Sequence, residues 1–206
     1  NIKLLCGKPL ISYTIEAALN SDLDAVYVTT EDAEIKTICI GLGVNVIDRP
    51  KELSLDETPS LPVLQHAVTQ LPSSVKAVVT LQPTSPFRTS SHINDALRIF
   101  RSANCDSLVS VVQVPHQFSP QSLMTYENHT LRALNIAAKL RRQEKPILYA
   151  RNGAAIYITA KASLSDYIFG GNMIPFLMDK LSSIDIDDED DWEIASMIMK
   201  SRTKHD

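Results

Sequence analysis

Ala77-Val78-Val79-Thr80-Leu81, followed by Gln82-Pro83-Thr84-Ser85-Pro86-Phe87-Arg88, is the stretch on which the reading of the fold turns. A nearly unbroken apolar run of this length predicts a central strand covered on both faces. Two prolines then fix a loop in which Gln, Thr, Ser and Arg offer hydrogen-bonding groups, a rigid polar platform suited to an oxygen-rich ligand. Towards the N-terminus the pattern predicts a helix over residues 60–71 and a strand over 44–47. Before these come a helix over 32–42 that ends at Gly43 and a strand over 25–30. A further helix opens at Pro9 and places Leu10, Ile11, Ile15, Ala18 and Leu19 at helical spacing. Towards the C-terminus a helix over 92–100, capped by Ser90 or Ser91, precedes a strand over 107–114. This alternation predicts a mostly parallel sheet with helices on both sides, an α/β three-layer domain.

Between residues 115 and 150 the rhythm breaks into a polar, basic excursion with no clean period. Strand signals resume at 154–159, 173–178 and 183–186, and a helix over 188–200 closes the chain. Its 206 residues suit a single domain, and a composition 44% hydrophobic and 21% charged excludes disorder and coiled coil. No apolar run approaches the ~20 residues a bilayer span needs, and no signal-peptide pattern opens the chain, so no membrane is expected and the expected location is cytoplasmic. Cys6, Cys39 and Cys105 are odd in number and far apart, which predicts buried free thiols rather than a disulfide framework or thiolate metal site.

Charge is unevenly distributed. Seven of the nine residues from Asp185 to Glu193 are acidic, whereas residues 132–151 carry six basic side chains against Glu144 alone. In Asp185-Ile186-Asp187 the alternation points both carboxylates to one face of an extended segment, roughly 7 Å apart. Two hard oxygen ligands at a strand end are what Mg²⁺ uses when phosphates complete its shell. The four acids from Asp188 to Asp191 are better read as the stabilising cap of the last helix. Arg141-Arg142-Gln143 and Arg151-Asn152-Gly153 are suited to paired hydrogen bonds with carboxylate or phosphate. Nucleic acid is disfavoured by a pI near 5.7 and by the lack of interleaved aromatics. Arg49-Pro50 with Asp56, Thr58 and Ser60 forms a polar loop that suits a small polar ring. His66 and His116 are assigned no role.

Taken together these segments resemble the acylneuraminate cytidylyltransferases, which activate nine-carbon acidic sugars as CMP conjugates. The resemblance is carried by Asn1-Ile2-Lys3 through Gly7-Lys8-Pro9-Leu10, Arg49-Pro50 with its polar loop, and Gln82-Pro83-Thr84-Ser85-Pro86. It continues in Asn152-Gly153-Ala154 with Ile156-Tyr157, and in Ser183-Ile184-Asp185-Ile186-Asp187. It implies a three-layer Rossmann-like nucleotidyltransferase sheet and transfer of CMP from CTP to the sugar's anomeric hydroxyl, with release of pyrophosphate. By the same resemblance Asp185 and Asp187 hold Mg²⁺ and are catalytic, while Asn1, Arg49, Thr58 and Ser60 bind the nucleotide. Gln82, Arg142 and Tyr157 meet the sugar, and residues 115–150 form an arm that dimerises the protein across the partner's site. Residues 1–206 read as one such domain, lacking the N-terminal strand and triphosphate loop with which family members open. Ala154-Ala155 makes the fourth motif one residue longer than the common Asn-Gly-Ala-Ile-Tyr form. Two alternatives remain open: a related enzyme for an eight-carbon ulosonic acid, and a catalytically silent nucleotide- or sugar-binding module.

Overall fold

The computed structural model describes residues 1–55, 57–134 and 146–202. Two short strands, β1 (Leu4–Leu5) and β2 (Lys8–Pro9), lead into α1 (Leu10–Leu19). β3 (Tyr27–Thr30), α2 (Ala33–Gly41), β4 (Asn45–Asp48), α3 (Ser60–Thr69), β5 (Ala77–Thr80), α4 (Ser90–Ser102) and β6 (Ser107–Gln113) follow in the expected order. Asp32 caps α2 by accepting from the Glu34 and Ile35 amides, and Gly43 beyond its end has φ +72°, a conformation that glycine adopts without strain. α4 begins earlier than the sequence pattern implies. Its cap is Thr89, not Ser90 or Ser91, because Thr89 and His92 satisfy each other's amides in a capping box.

The chain then enters a hairpin of β7 (Met124–Glu127) and β8 (Thr130–Ala133), whose turn residues Asn128 and His129 have φ 50° and 61°. β9 (Tyr149–Arg151), β10 (Tyr157–Ala160), β11 (Met173–Leu177) and α5 (Glu189–Arg202) complete the chain. The principal sheet runs β11-β6-β10-β5, with β9 also on β6. Only β11 is parallel to its neighbour there, since β10 runs antiparallel to both β5 and β6. The expected mostly parallel sheet is therefore mixed. β3 and β4 pair in parallel as a separate two-stranded sheet. β5 consequently stands at the end of the principal ladder among the described residues, and all four of its residues are half-buried. An apolar run reports that a strand's faces are covered; it says nothing about its edges.

The pairing of β6 holds the decisive local feature. Val111 faces Arg151 in β9 and Val109 faces Tyr157 in β10, and β11 occupies the other edge of β6. β9 and β10 are thus one strand interrupted, with the five residues 152–156 standing opposite Ser110 alone. The sequence pattern merges this interruption into a strand over 154–159, because Ala154, Ala155 and Ile156 are apolar and buried. Residues 183–186 form no strand either. They descend from a turn stapled by the Asp179 carboxylate, which accepts from the Leu181 and Ser182 amides at 2.9 and 3.0 Å.

The main core joins Ile93, Ala96 and Leu97 of α4 to Leu108, Ile158 and Phe176 of the sheet and to Ile156 of the interruption. A second cluster packs Ile186 among Leu5, Leu10, Phe87 and Ala195, and a third sets Ile11 and Ile15 against Cys39 and Val44. Of the three thiols only Cys39 is buried; Cys6 is exposed and Cys105 intermediate, because both lie in connecting segments. Among the described residues no helix is long and apolar enough to cross a membrane. Leu108, wholly buried between strands and helix, tests the assignment of the core. Leu108→Ala should cost about 2–5 kcal/mol in a denaturant titration, whereas Met197→Ala, at an exposed position of α5, should stay within roughly 0.5 kcal/mol of wild type.

Candidate active site

The interrupted strand meets the loop after β5 and the segment before α5. Several of its backbone groups find partners where it leaves the ladder: the Ala154 carbonyl accepts from the Gln82 amide at 2.9 Å, and the Ile156 carbonyl from the Ser110 amide at 2.9 Å. The Ala155 carbonyl accepts from Arg88 Nη1 at 2.8 Å, and the Ile156 amide donates to Ser110 Oγ at 2.9 Å. Buried peptide groups need such partners, and here they come from two neighbouring elements. The same loop after β5 reaches the acidic segment, where the Ile186 amide donates to the Thr84 carbonyl at 2.9 Å.

Burial of Ile186 points Asp185 and Asp187 away from the core, as their alternation requires. Asp185 is half-buried against the bulge. Ser85 Oγ donates to its Oδ1 at 3.4 Å. Gly153, at φ +65°, lies so close that a Cβ there would stand 2.6 Å from Asp185 Cγ. Asn152 fixes the preceding turn by donating from Nδ2 to Ser183 Oγ at 2.9 Å, while Ser183 donates to the Asp179 carbonyl at 2.6 Å. Asp187 is exposed, and its carboxyl is pushed above the ordinary value, first by the charge of Asp185, then by desolvation and by Asp191 and Asp188. Asp188 accepts from the Asp191 amide at 2.9 Å, and Glu189, Asp190 and Asp191 occupy the first turn of α5. Those acids therefore act as the expected helix cap.

The remaining expected positions divide. Gln82 has its backbone pinned at both ends and its side chain exposed. Tyr157 is 6% exposed, with its ring edge-on to Phe169 at 5.1 Å, and the Arg151 guanidinium lies 4.6 Å from the Phe169 ring centre. Burial raises the Tyr157 hydroxyl above its ordinary value, opposed by the charge of Arg151 and a hydrogen bond from it. Asn1 is exposed and accepts from the Ile11 amide through its carbonyl at 3.0 Å. Two residues on, Lys3 pairs with Glu189 at 2.7 Å and lies over Trp192, so the N-terminal segment is docked on α5 beside the carboxylate pair. Arg49 donates to the Thr29 carbonyl at 2.5 Å and stands 3.9 Å from Glu31, at the ends of β3 and β4. Thr58 is half-buried and Ser60 opens α3. No hydrogen bond or ion pair among the described residues joins Arg49, Thr58 or Ser60 to the Asp185 cluster. Arg142 and Asp56 lie outside the described residues. Sequence reading missed the cradle at Gly153, the burial of Arg88 and the place of Arg151 over Phe169, since each depends on contacts distant in the chain.

Beyond the ends of β6 and β11, a cavity of about 480 Å³ is lined by Gln113, Val114, Pro115, His116, Gln117 and Lys180.

Residues 1–198 match the family model described as cytidylyltransferase. N-acylneuraminate cytidylyltransferase of Escherichia coli O18:K1:H7 is 32% identical over 99% of this chain and 49% of its own length. N-acylneuraminate cytidylyltransferase B of Danio rerio is 34% identical over 95% of this chain and 46% of its own. The chain thus spans about half the length of the curated relatives it matches. Among solved structures, a CMP:2-keto-3-deoxy-manno-octonic acid synthetase complexed with CTP superposes with a TM-score of 0.74 at 15% identity, covering 98% of this chain and 91% of that one. A 4-diphosphocytidyl-2C-methyl-D-erythritol synthase from Anaerococcus prevotii does so at 0.64 and 12%, covering 96% and 91%. At such identities the likeness is one of fold, the Rossmann-like fold of nucleotidyltransferases, in agreement with the α/β expectation. With the family model spanning nearly all of it, the chain belongs to the cytidylyltransferase family.

Proposed function

We propose that the protein transfers CMP from CTP to the anomeric hydroxyl of a nine-carbon acidic sugar and releases pyrophosphate. The observation that carries this reading is the Asp185–Asp187 pair, held by the Gly153 cradle and the loop after β5 in a chain of the cytidylyltransferase family. The two named relatives, at 32% and 34% identity, act on N-acylneuraminate by their names. The octonic-acid alternative rests on a likeness of fold alone. In the reaction the sugar hydroxyl oxygen bonds to the α-phosphorus while its proton passes to solvent, the bond from that phosphorus to the bridging oxygen breaks, and pyrophosphate leaves with the electron pair. Charge accumulates on the leaving group and must be neutralised.

Asp185 and Asp187 would hold Mg²⁺. A carboxylate at Asp187 whose ionisation is disfavoured by the neighbouring Asp185 suits a divalent cation, and a two-ligand protein site leaves room for phosphate oxygens and water. When bound, Mg²⁺ would supply electrostatic stabilisation of the developing charge. Asn1, Arg49, Thr58 and Ser60 are assigned to the nucleotide. Gln82, Arg142 and Tyr157 are assigned to the sugar, with Arg142 pairing its carboxylate and Tyr157 forming the floor beneath Phe169 and Arg151.

Assembly as a homodimer completes the proposal. Phe118, Met124, Tyr126, Leu131 and Leu134, on and beside the β7–β8 hairpin, are each more than half exposed, an apolar concentration that a partner subunit would cover.

Pyrophosphate release by the full-length protein, measured with CTP against ATP, GTP and UTP and with a panel of acidic sugars, tests the activity. CTP with a nine-carbon acid should turn over; turnover confined to an eight-carbon acid, or binding without turnover, overturns the reading. Asp187→Asn should reduce kcat by roughly two or more orders of magnitude while the melting temperature of the ligand-free protein does not fall, because the substitution relieves repulsion. Near-normal activity at saturating Mg²⁺ removes Asp187 from the metal site. Gly153→Ala forces a Cβ into the Asp185 carboxylate and should raise the Mg²⁺ concentration needed for half-maximal rate by about tenfold, with the CTP KM measured alongside. Light scattering should give the dimer mass for the wild type and a lower mass for Tyr126→Asp; a monomeric wild type refutes the assembly.

A further inference from the structure

Arg88 is the most deeply buried cation among the described residues, at 3% exposure. Its Nη1 donates to the Gln82 carbonyl at 3.2 Å and the Ala155 carbonyl at 2.8 Å, and its Nη2 donates to Thr14 Oγ1 at 2.5 Å. Thr14 Oγ1 in turn donates to the Gln82 carbonyl at 3.4 Å. The guanidinium therefore ties together α1, the start of the loop after β5 and the bulge of the broken strand. Its Nε–H is buried without a partner. Burial lowers the guanidinium to about 10, opposed by the nearby Asp185 carboxylate, so the group remains a cation at neutral pH.

A charge held in this way is a poor stabilising device. Desolvating a guanidinium is expensive, an unsatisfied donor adds to that cost, and apolar side chains of similar volume fill such a space at least as well. What an apolar residue cannot do is fix the distance between two carbonyls on separate elements. We infer that Arg88 is a positioning residue for the sugar half of the reaction, setting Gln82 against the bulge that leads into Tyr157. The inference rests on the cytidylyltransfer reading and adds a residue to it. It also predicts an asymmetry, since among the described residues Arg88 makes no hydrogen bond or ion pair with Arg49, Thr58 or Ser60, the residues assigned to the nucleotide.

The test is steady-state pyrophosphate release by the full-length wild type, Arg88→Lys, Arg88→Met and Thr14→Val, each assayed well below its own melting temperature. CTP binding is followed separately by calorimetry. Arg88→Lys keeps the charge and loses the bridge, so the sugar KM should rise about tenfold or more while the CTP KM and the calorimetric CTP affinity stay within about twofold. Arg88→Met should move the sugar KM at least as far. Thr14→Val, which removes one anchor and conserves volume, should shift it in the same direction by about two- to threefold, and it decides the matter if the Arg88 variants do not fold. Equal rises in both KM values, or a lowered melting temperature with unchanged kinetics, overturn the inference and leave Arg88 a structural residue. Wild-type protein that binds CTP but turns over no acidic sugar fails the underlying reading instead.

Discussion

Five residues of one strand stand opposite a single serine of the next, and the site is built around that mismatch. A bulge of this size removes several peptide groups from the ladder, and buried peptides do not stay unpaired. Their partners are therefore recruited from elsewhere: the Gln82 amide, the Arg88 guanidinium, and the amide and hydroxyl of Ser110. Satisfying the bulge obliges the loop after β5 to lie across it. Once there, that loop presents Thr84 to Ile186 and Ser85 to Asp185. The need to pair a few backbone groups thus brings a polar loop, a glycine cradle and a carboxylate together.

Apolar packing does the rest of the positioning. Ile186 is held among Leu5, Leu10, Phe87 and Ala195, so the two aspartates flanking it must point away from the core. The N-terminal segment is fastened to the same place by Lys3, which pairs with Glu189 and covers Trp192. Both of those contacts are partly exposed and individually weak; the buried Leu5 next to them supplies the attachment. The candidate site is anionic at its centre, where Asp185 disfavours ionisation of Asp187.

Much of the fold was legible because local rules govern it. The helix and strand alternation as far as β6 follows from apolar period, from Asp32 as a cap and from Gly43 as a stop, all short-range effects. The acids from Asp188 to Asp191 read correctly as a helix start for the same reason. Two of the departures share one cause. Residues 154–156 are apolar in a bulge as they would be in a strand, and β5 is apolar although among the described residues its ladder continues on one edge only. Hydrophobicity reports burial and does not distinguish a paired backbone from one satisfied by an arginine.

The sequence alone determined the α/β class, the order of elements from α1 to β6, the family resemblance and the outward direction of Asp185 and Asp187 around Ile186, because these depend on residue types at fixed short spacing. Only the tertiary structure decided that β10 runs antiparallel, that Gly153 lies against Asp185, and that Arg88 is buried between three elements rather than offered to a ligand. Those contacts join residues tens of positions apart. Their existence depends on which backbone groups the collapsed chain leaves unpaired, a condition set by the whole packing of the domain and by no local stretch of it.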